Sequence, residues 1–168
     1  MVAATDNDKF IFERVRDRYE FEHDRFLNIQ SRASTLVGWI GLFISILVAG
    51  GAILFGKKGD VTLSLDDVNL ILAALALLLI SMLFSLIAFR VGAYEVAPEP
   101  GPLIEFYGDG DEQKTLRTAT REMTNAIEIN TKSTDMKANF VTVSWALFLG
   151  GMILSSIFIS IQMYKLVP

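Results

Sequence analysis

Three stretches of the chain carry no charged residue at all: Ala33 to Gly56, Val68 to Phe89 and Ala138 to Tyr164. Each is longer than the roughly 20 residues that cross a hydrocarbon core of about 30 Å. The charged residues crowd into the segments between them, so the pattern separates chain suited to lipid from chain suited to water. A bilayer core offers no water to backbone groups, and such stretches therefore fold as helices. The pattern predicts an all-α integral membrane protein with three transmembrane helices, at 33–56, 68–90 and 138–164. Residues 1–32 are expected to form a cytoplasmic amphipathic helix, 57–67 an outer loop, 91–137 a cytoplasmic loop and helix, and 165–168 an outer tail. Burial of three such helices inside a soluble domain is the competing arrangement, but 168 residues hold too little polar material to cover them.

The segments next to the first and third spans are themselves periodic. From about Asp8 to Arg32 there is neither proline nor glycine, and Phe12, Val15, Tyr19, Phe26, Ile29, Ala33 and Leu36 recur at steps of three and four once Glu22 is counted in the series. This is a heptad-like seam with an acid in it. Arg16 with Glu20, Arg18 with Glu22, and Glu22 with Arg25 are spaced to pair along the helix, each worth only a few tenths of a kcal/mol. Burial of the seam must supply most of the stability. From about Asp111 a second helical pattern places Leu116, Ala119, Met123, Ile127 and Asn130 on one side and runs through Lys137 into the third span. We expect it to pack along the N-terminal helix. Both cytoplasmic helices enter their spans at a basic residue followed by alanine, Arg32-Ala33 and Lys137-Ala138, so neither is expected to break there. Ser64 followed by Asp67 is a start signal for the second span. Pro98, Pro100, Pro102, Gly101, Gly108 and Gly110 interrupt the long loop, with a short helical turn expected at Pro102.

Orientation follows from the basic residues. Twelve of the fifteen lie before the first span or between the second and third, and Arg32, Arg90 and Lys137 stand at span ends. The positive-inside rule puts that side in the cytoplasm, hence an N-terminus inside and a C-terminus outside the plasma membrane. Arg32, Arg90 and Lys137 are expected to hold their charged heads at the phospholipid level, their stems in the apolar region. Trp39 and Trp145 near the inner ends of their spans, and Tyr164 at the outer boundary, suit aromatic belts.

Small residues form ridges along the spans: Ser34, Gly38, Gly41, Ser45 and Ala49 in the first, Ala74, Ser81 and Ser85 in the second, Ala146, Gly150, Gly151 and Ser155 in the third. Such ridges let helix backbones approach closely. Packing within one chain and packing between protomers both use them.

Composition narrows the chemistry. Apolar residues make up 52% of the chain, and the net charge of -4 with interleaved signs gives no basic field for nucleic acid. There is no cysteine, which excludes disulfides and thiol catalysis. The opening MVAATDNDKF has no apolar core and is not expected to act as a signal peptide. No span carries an ionisable residue at its centre or a proline, unlike proton relays and ion-coupled transporters. His23, the only histidine, reads as an exposed helix residue, and Asp109-Gly110-Asp111-Glu112 lacks the spacing of a calcium hand. No nucleophile elbow or glycine-rich phosphate loop is present. No catalytic, cofactor or metal residues are therefore expected.

The segments YEFEHDRFLNIQSRASTLVGWIGLF and GPLIEFYGDGDEQKTLRTATREMTNAIEINTKSTDMKANFV carry a resemblance. They look like a family of small, uncharacterised three-span membrane proteins of archaea and bacteria, through Tyr19, Glu22, Arg25, Arg32-Ala33, Pro102 to Tyr107, Asn130 and Lys137-Ala138. More distantly, the architecture of a cytoplasmic helix running into a span is similar to the SLATT and Pycsar-type membrane effectors. That likeness implies self-assembly and membrane perturbation and assigns no functional residue. Two functions are expected from these observations. One is a non-enzymatic homo-oligomeric effector, a pore gated by a cytoplasmic ligand or protein partner; the other is a scaffold or accessory subunit that conducts nothing.

Overall fold

The protein was obtained as a computed structural model, which describes residues 5–56, 64–90 and 112–166. Three helices account for nearly all of them: α1 (Asp6–Gly56), α2 (Leu65–Arg90) and α3 (Glu112–Leu166). Among the described residues there is no strand. The loop expected at 57–67 as far as residue 63, the turn expected at 102–107 and the acids at 109–111 lie outside the described residues, as does the end of the expected tail at 167–168.

α1 runs 51 residues and α3 runs 55 without a break. Neither contains proline, and α1 passes through Arg32-Ala33, as α3 passes through Lys137-Ala138, in continuous helix. At 1.5 Å per residue each extends about 75–80 Å, more than twice the ~30 Å of a hydrocarbon core. All three helices are long and apolar enough to cross a membrane. The starts of α1 and α2 are capped alike. The Ser64 amide donates to Asp67 Oδ2 at 2.9 Å and the Asp67 amide to Ser64 Oγ at 3.2 Å, the reciprocal arrangement anticipated from the spacing. Thr5 and Asp8 repeat it, at 3.4 and 3.2 Å.

The chain forms two compact units. Unit 1 comprises Met1–Ile29 and Val91–Met136. Here α1 and α3 lie side by side: Phe12, Val15 and Tyr19 pack on buried Met123 and Ala126. Asp8 meets Gln113 and Arg117 before that cluster, and Arg25 meets Asp135 after it, so the helices run parallel. The expected pairing of the two amphipathic helices is therefore present, with one correction. Ala126, not Ile127, lies on the buried face of α3 and Ile127 is half-buried at its flank. Both fit a helical face, but Ala119, Met123, Ala126 and Asn130 keep the alternation of four and three that matches the α1 seam.

Unit 2 comprises Gln30–Arg90 and Lys137–Pro168. Its core is Leu36 and Ile40 of α1, Leu78 of α2 and Phe148 of α3, flanked by Phe43, Ile44, Leu47, Met82 and Met152. Phe43 and Trp145 both meet the Phe148 ring edge-on, at 6.2 and 5.8 Å. α2 runs antiparallel to α3, and a layer of three buried serines joins them. Ser81 Oγ donates to the Ser144 carbonyl at 2.7 Å, Ser144 Oγ donates to the Ser81 carbonyl at 2.6 Å, and the Ser85 and Ser144 hydroxyls lie 2.7 Å apart. Every hydroxyl in this layer is satisfied without water, which is what an apolar surround requires.

Outside the core, large apolar side chains of unit 2 point away from the protein. Leu42, Ile46 and Val48 of α1, Leu72, Leu79 and Leu83 of α2, and Leu149, Ile153 and Ile157 of α3 are between 45% and 64% exposed. A surface of this extent is unfavourable in water and suited to lipid.

Gly151 shows how closely α2 and α3 approach. A Cβ there would stand 2.8 Å from Leu78 Cγ and Cδ2 and 3.3 Å from the Ala74 carbonyl oxygen, whereas a Cβ on Gly150 would meet only Leu77 Cδ1, at 3.5 Å. Gly151→Ala should therefore lower stability by about 1–3 kcal/mol through overpacking. Gly150→Ala should change it by less than about 0.5 kcal/mol. Thermal or denaturant unfolding of the two variants in the same detergent checks the contrast.

Candidate functional site

The seam of unit 1 contains a buried charge. Glu22 occupies the position in the α1 series where an apolar side chain is otherwise found, and it is 0% exposed. A carboxylate so placed requires cations and donors close by. Arg18 supplies one a turn earlier, its Nη2 2.9 Å from Glu22 Oε1. Arg25 supplies another, its Nη1 3.4 Å from Glu22 Oε2. Arg25 then crosses to the other helix, where Nη2 donates to Asp135 Oδ1. This contact holds the Arg25 guanidinium even further above neutrality than usual. The pairs along α1 were legible from their spacing; Asp135 was not, because nothing in a sequence period says which residue lies across a seam. On α3 the buried face of unit 1 ends in two further polar residues, Asn130 and Thr134, both without exposed surface.

A second acid closes the far end of the seam. Asp8 is buried four residues before Phe12, in phase with Val15 and Glu22. It accepts hydrogen bonds from Thr5 Oγ1, from Gln113 Nε2 at 2.9 Å and from Arg117 Nε at 3.0 Å. These bonds hold its carboxyl well below the usual carboxylate range. Lys9 and Glu112 add an exposed pair beside it, 3.6 Å apart. Extending the heptad one step upstream of Phe12 would have found Asp8 in the sequence.

The residues singled out from sequence divide into several groups. Trp39, Tyr164, Arg32 and Arg90 are exposed, and Trp145 is 37% exposed, all open to whatever surrounds unit 2. Lys137 differs from the expectation of a head at the phospholipid surface: it is 1% exposed and covered by protein. The reason is its phase, since Thr134, Lys137, Val141 and Ser144 follow one another on the buried face of α3. Of the small residues, Gly151 and Ser155 are buried, with Ser155 Oγ donating to the Gly151 carbonyl, and Gly150 is half-buried. Ser144, which the sequence ridges omitted, is the residue of α3 that binds α2. The first-span ridge behaves differently. A Cβ at Gly38 or Gly41 would meet nothing within 4 Å, and Ser45 is exposed with its hydroxyl returned to the Gly41 carbonyl at 2.9 Å. At 3.6 residues per turn this ridge lies about 140° around α1 from the Ala33, Leu36 and Ile40 seam.

At the opposite end of unit 2, Asp67 is buried and accepts from Lys165 Nζ at 2.6 Å, next to buried Gln162. Among the described residues no group of three or more His, Cys, Asp or Glu side chains is arranged to hold a metal ion, and His23 is exposed.

Removal of one member of the buried layer should be much costlier than removal of its exposed end. Arg25→Met takes a cation from a carboxylate with no access to water and should cost about 2–4 kcal/mol. Asp135→Asn, at the exposed side, should cost less than about 1 kcal/mol. Hydrogen exchange of 8–29 and 112–136 in the two variants measures the difference. Comparison with known proteins finds no matching family model, no matching curated protein and no matching solved structure.

Proposed function

We propose that this chain is a multi-pass protein of the plasma membrane, N-terminus inside and C-terminus outside, that works as a non-enzymatic homo-oligomeric effector. In this reading unit 2 sits in the bilayer and unit 1 in the cytoplasm, where a ligand or protein partner acts on the charged helix pair. The passage it gates lies between protomers. The reading of orientation rests on the distribution of lysine and arginine. The apolar side chains that unit 2 turns outward support insertion.

The observation that carries the oligomer is the first-span ridge. The ridge residues Ala74, Ser81 and Ser85 of α2 and Gly151 and Ser155 of α3 are buried within the chain, at the serine layer and at Gly151 on Leu78, while Ala146 of α3 is exposed. Gly38, Gly41 and Ser45 are not buried, and they leave a shallow, small-residue face open on α1. Helices without a hydrophobic drive to associate do so along such faces, and a second copy of the chain brings the same face. The packed interior of unit 2 argues against conduction down the axis of one chain. The same observation favours the second reading, a membrane scaffold or accessory subunit that conducts nothing, should the protomers pack as tightly as the helices within them.

Because a Cβ at Gly41 meets nothing within 4 Å in its own chain, Gly41→Leu tests association with little disturbance of the fold. Mass photometry in mild detergent and in lipid nanodiscs should give an oligomer for the native chain and a lower mass for Gly41→Leu, with ion flux in liposomes lost in parallel. A native chain that is monomeric in both media removes the oligomer and the pore together.

A further inference from the structure

α1 presents Asp8, Phe12, Val15, Tyr19, Glu22, Phe26 and Ile29 at alternating steps of four and three. A seam of this kind can pack on a parallel copy of itself as well as on a different helix. Two of its positions are buried acids, Asp8 and Glu22, fourteen residues apart and therefore at the same place in the heptad. In a parallel, in-register pair of two α1 helices, like positions face one another. Asp8 would meet Asp8 of the second copy, and Glu22 would meet Glu22.

The helix that does occupy the seam answers both acids differently. Opposite Asp8, α3 offers the Gln113 amide and the Arg117 guanidinium. Beyond Met123 and Ala126 its buried face carries Asn130 and Thr134, both neutral, and Asp135 meets Arg25, the residue that also pairs with Glu22. Across Ala119, Met123, Ala126, Asn130 and Thr134 that face holds no carboxylate. Arg18 and Arg25 travel with Glu22 on α1, and Arg25 adds a link to Asp135 that α3 alone offers. The discriminating element is the opposite helix: α3 brings donors to Asp8 and an acid to Arg25 with no carboxylate on its buried face, whereas a second α1 brings a second buried carboxylate at each position. Specificity of this kind is set by the arrangement that is made unfavourable.

We infer that Asp8 and Glu22 select the partner of the α1 seam, holding it on α3 of its own chain and excluding α1 of a second copy. The inference concerns unit 1 alone and stands whether or not the Gly41 ridge assembles protomers. It assigns the seam a second, latent occupant: a second copy of the same helix, admitted when the two acids are neutralised.

The full chain has no cysteine, so introduced thiols report cleanly. Val15→Cys with Ala126→Cys, reconstituted in liposomes and treated with a short bifunctional thiol reagent, should link within one chain. Val15→Cys alone should give little dimer. Adding Asp8→Leu and Glu22→Leu should raise the Val15→Cys dimer at least about tenfold and reduce the intrachain product correspondingly. The milder Asp8→Asn with Glu22→Gln should move both in the same direction. The same rise is expected in a Gly41→Leu background, which separates this inference from span-mediated assembly. Three results would overturn it: equal dimer in the native and acid-free chains, acid-free variants that keep only the intrachain link, or equal dimer from Glu13→Cys, which lies off the seam and would mark non-specific exposure.

Discussion

A carboxylate with no exposed surface cannot stay ionised at a helix seam without cations and donors around it, and unit 1 is built around that requirement at Glu22. Arg18 and Arg25 pair with it from its own helix, and Arg25 on Asp135 together with Asp8 on Gln113 and Arg117 sets α3 parallel to α1 in one register. The apolar layer of Phe12, Val15 and Tyr19 on Met123 and Ala126 is compatible with neighbouring registers, because aliphatic and aromatic side chains slide at modest cost. The charged layers at Asp8 and Glu22 are not. They turn a permissive seam into a specific one, at a cost in stability that an all-apolar seam would avoid.

Unit 2 is held by other means. Its α2 and α3 approach through small residues, and the buried hydroxyls of Ser81, Ser85 and Ser144 satisfy one another there. Gly151 seats Leu78 at a distance that even one added methyl would violate. Where water drives association a seam tolerates bulk, and where lipid is the solvent close backbone contact and dry hydrogen bonds take over. The change at the helix contacts, from the buried acids Asp8 and Glu22 in unit 1 to the serine layer and Gly151 in unit 2, agrees with the change in composition at the charge-free stretches.

Much of this was legible in the sequence. The charge-free runs gave the three long apolar helices, the absence of proline and glycine through Arg32 gave an unbroken α1, and Ser64 with Asp67 gave the start of α2. The four-and-three spacing gave the seam and its acid. Partners across a seam were harder to read, because a period fixes the phase of a face and says nothing of what covers it. Asp135 and Arg117 lie off the apolar pattern and were invisible to it. Ser144 sits alone among large residues, so no ridge announced it. Lys137 stands where a snorkelling anchor would stand, and only its phase with Val141 and Ser144 reveals that it turns inward. Ile127 and Ala126 both fit a helical face, and the more apolar residue was the wrong choice because the small one lets α1 come close.

If the three apolar helices cross a membrane as proposed, parallel pairing of α1 and α3 requires residues 8–29 and 112–136 to emerge on the same side of it, with two of the three crossings between them. Asp24→Cys and Thr124→Cys, both exposed positions of unit 1, and Asp60→Cys in the outer connection test this in the otherwise cysteine-free chain. With an impermeant thiol reagent on intact cells, Asp60→Cys should be labelled, and Asp24→Cys and Thr124→Cys should react only after permeabilisation. Labelling of one unit 1 position without the other on intact cells would contradict the account, because the seam could then not form within one chain.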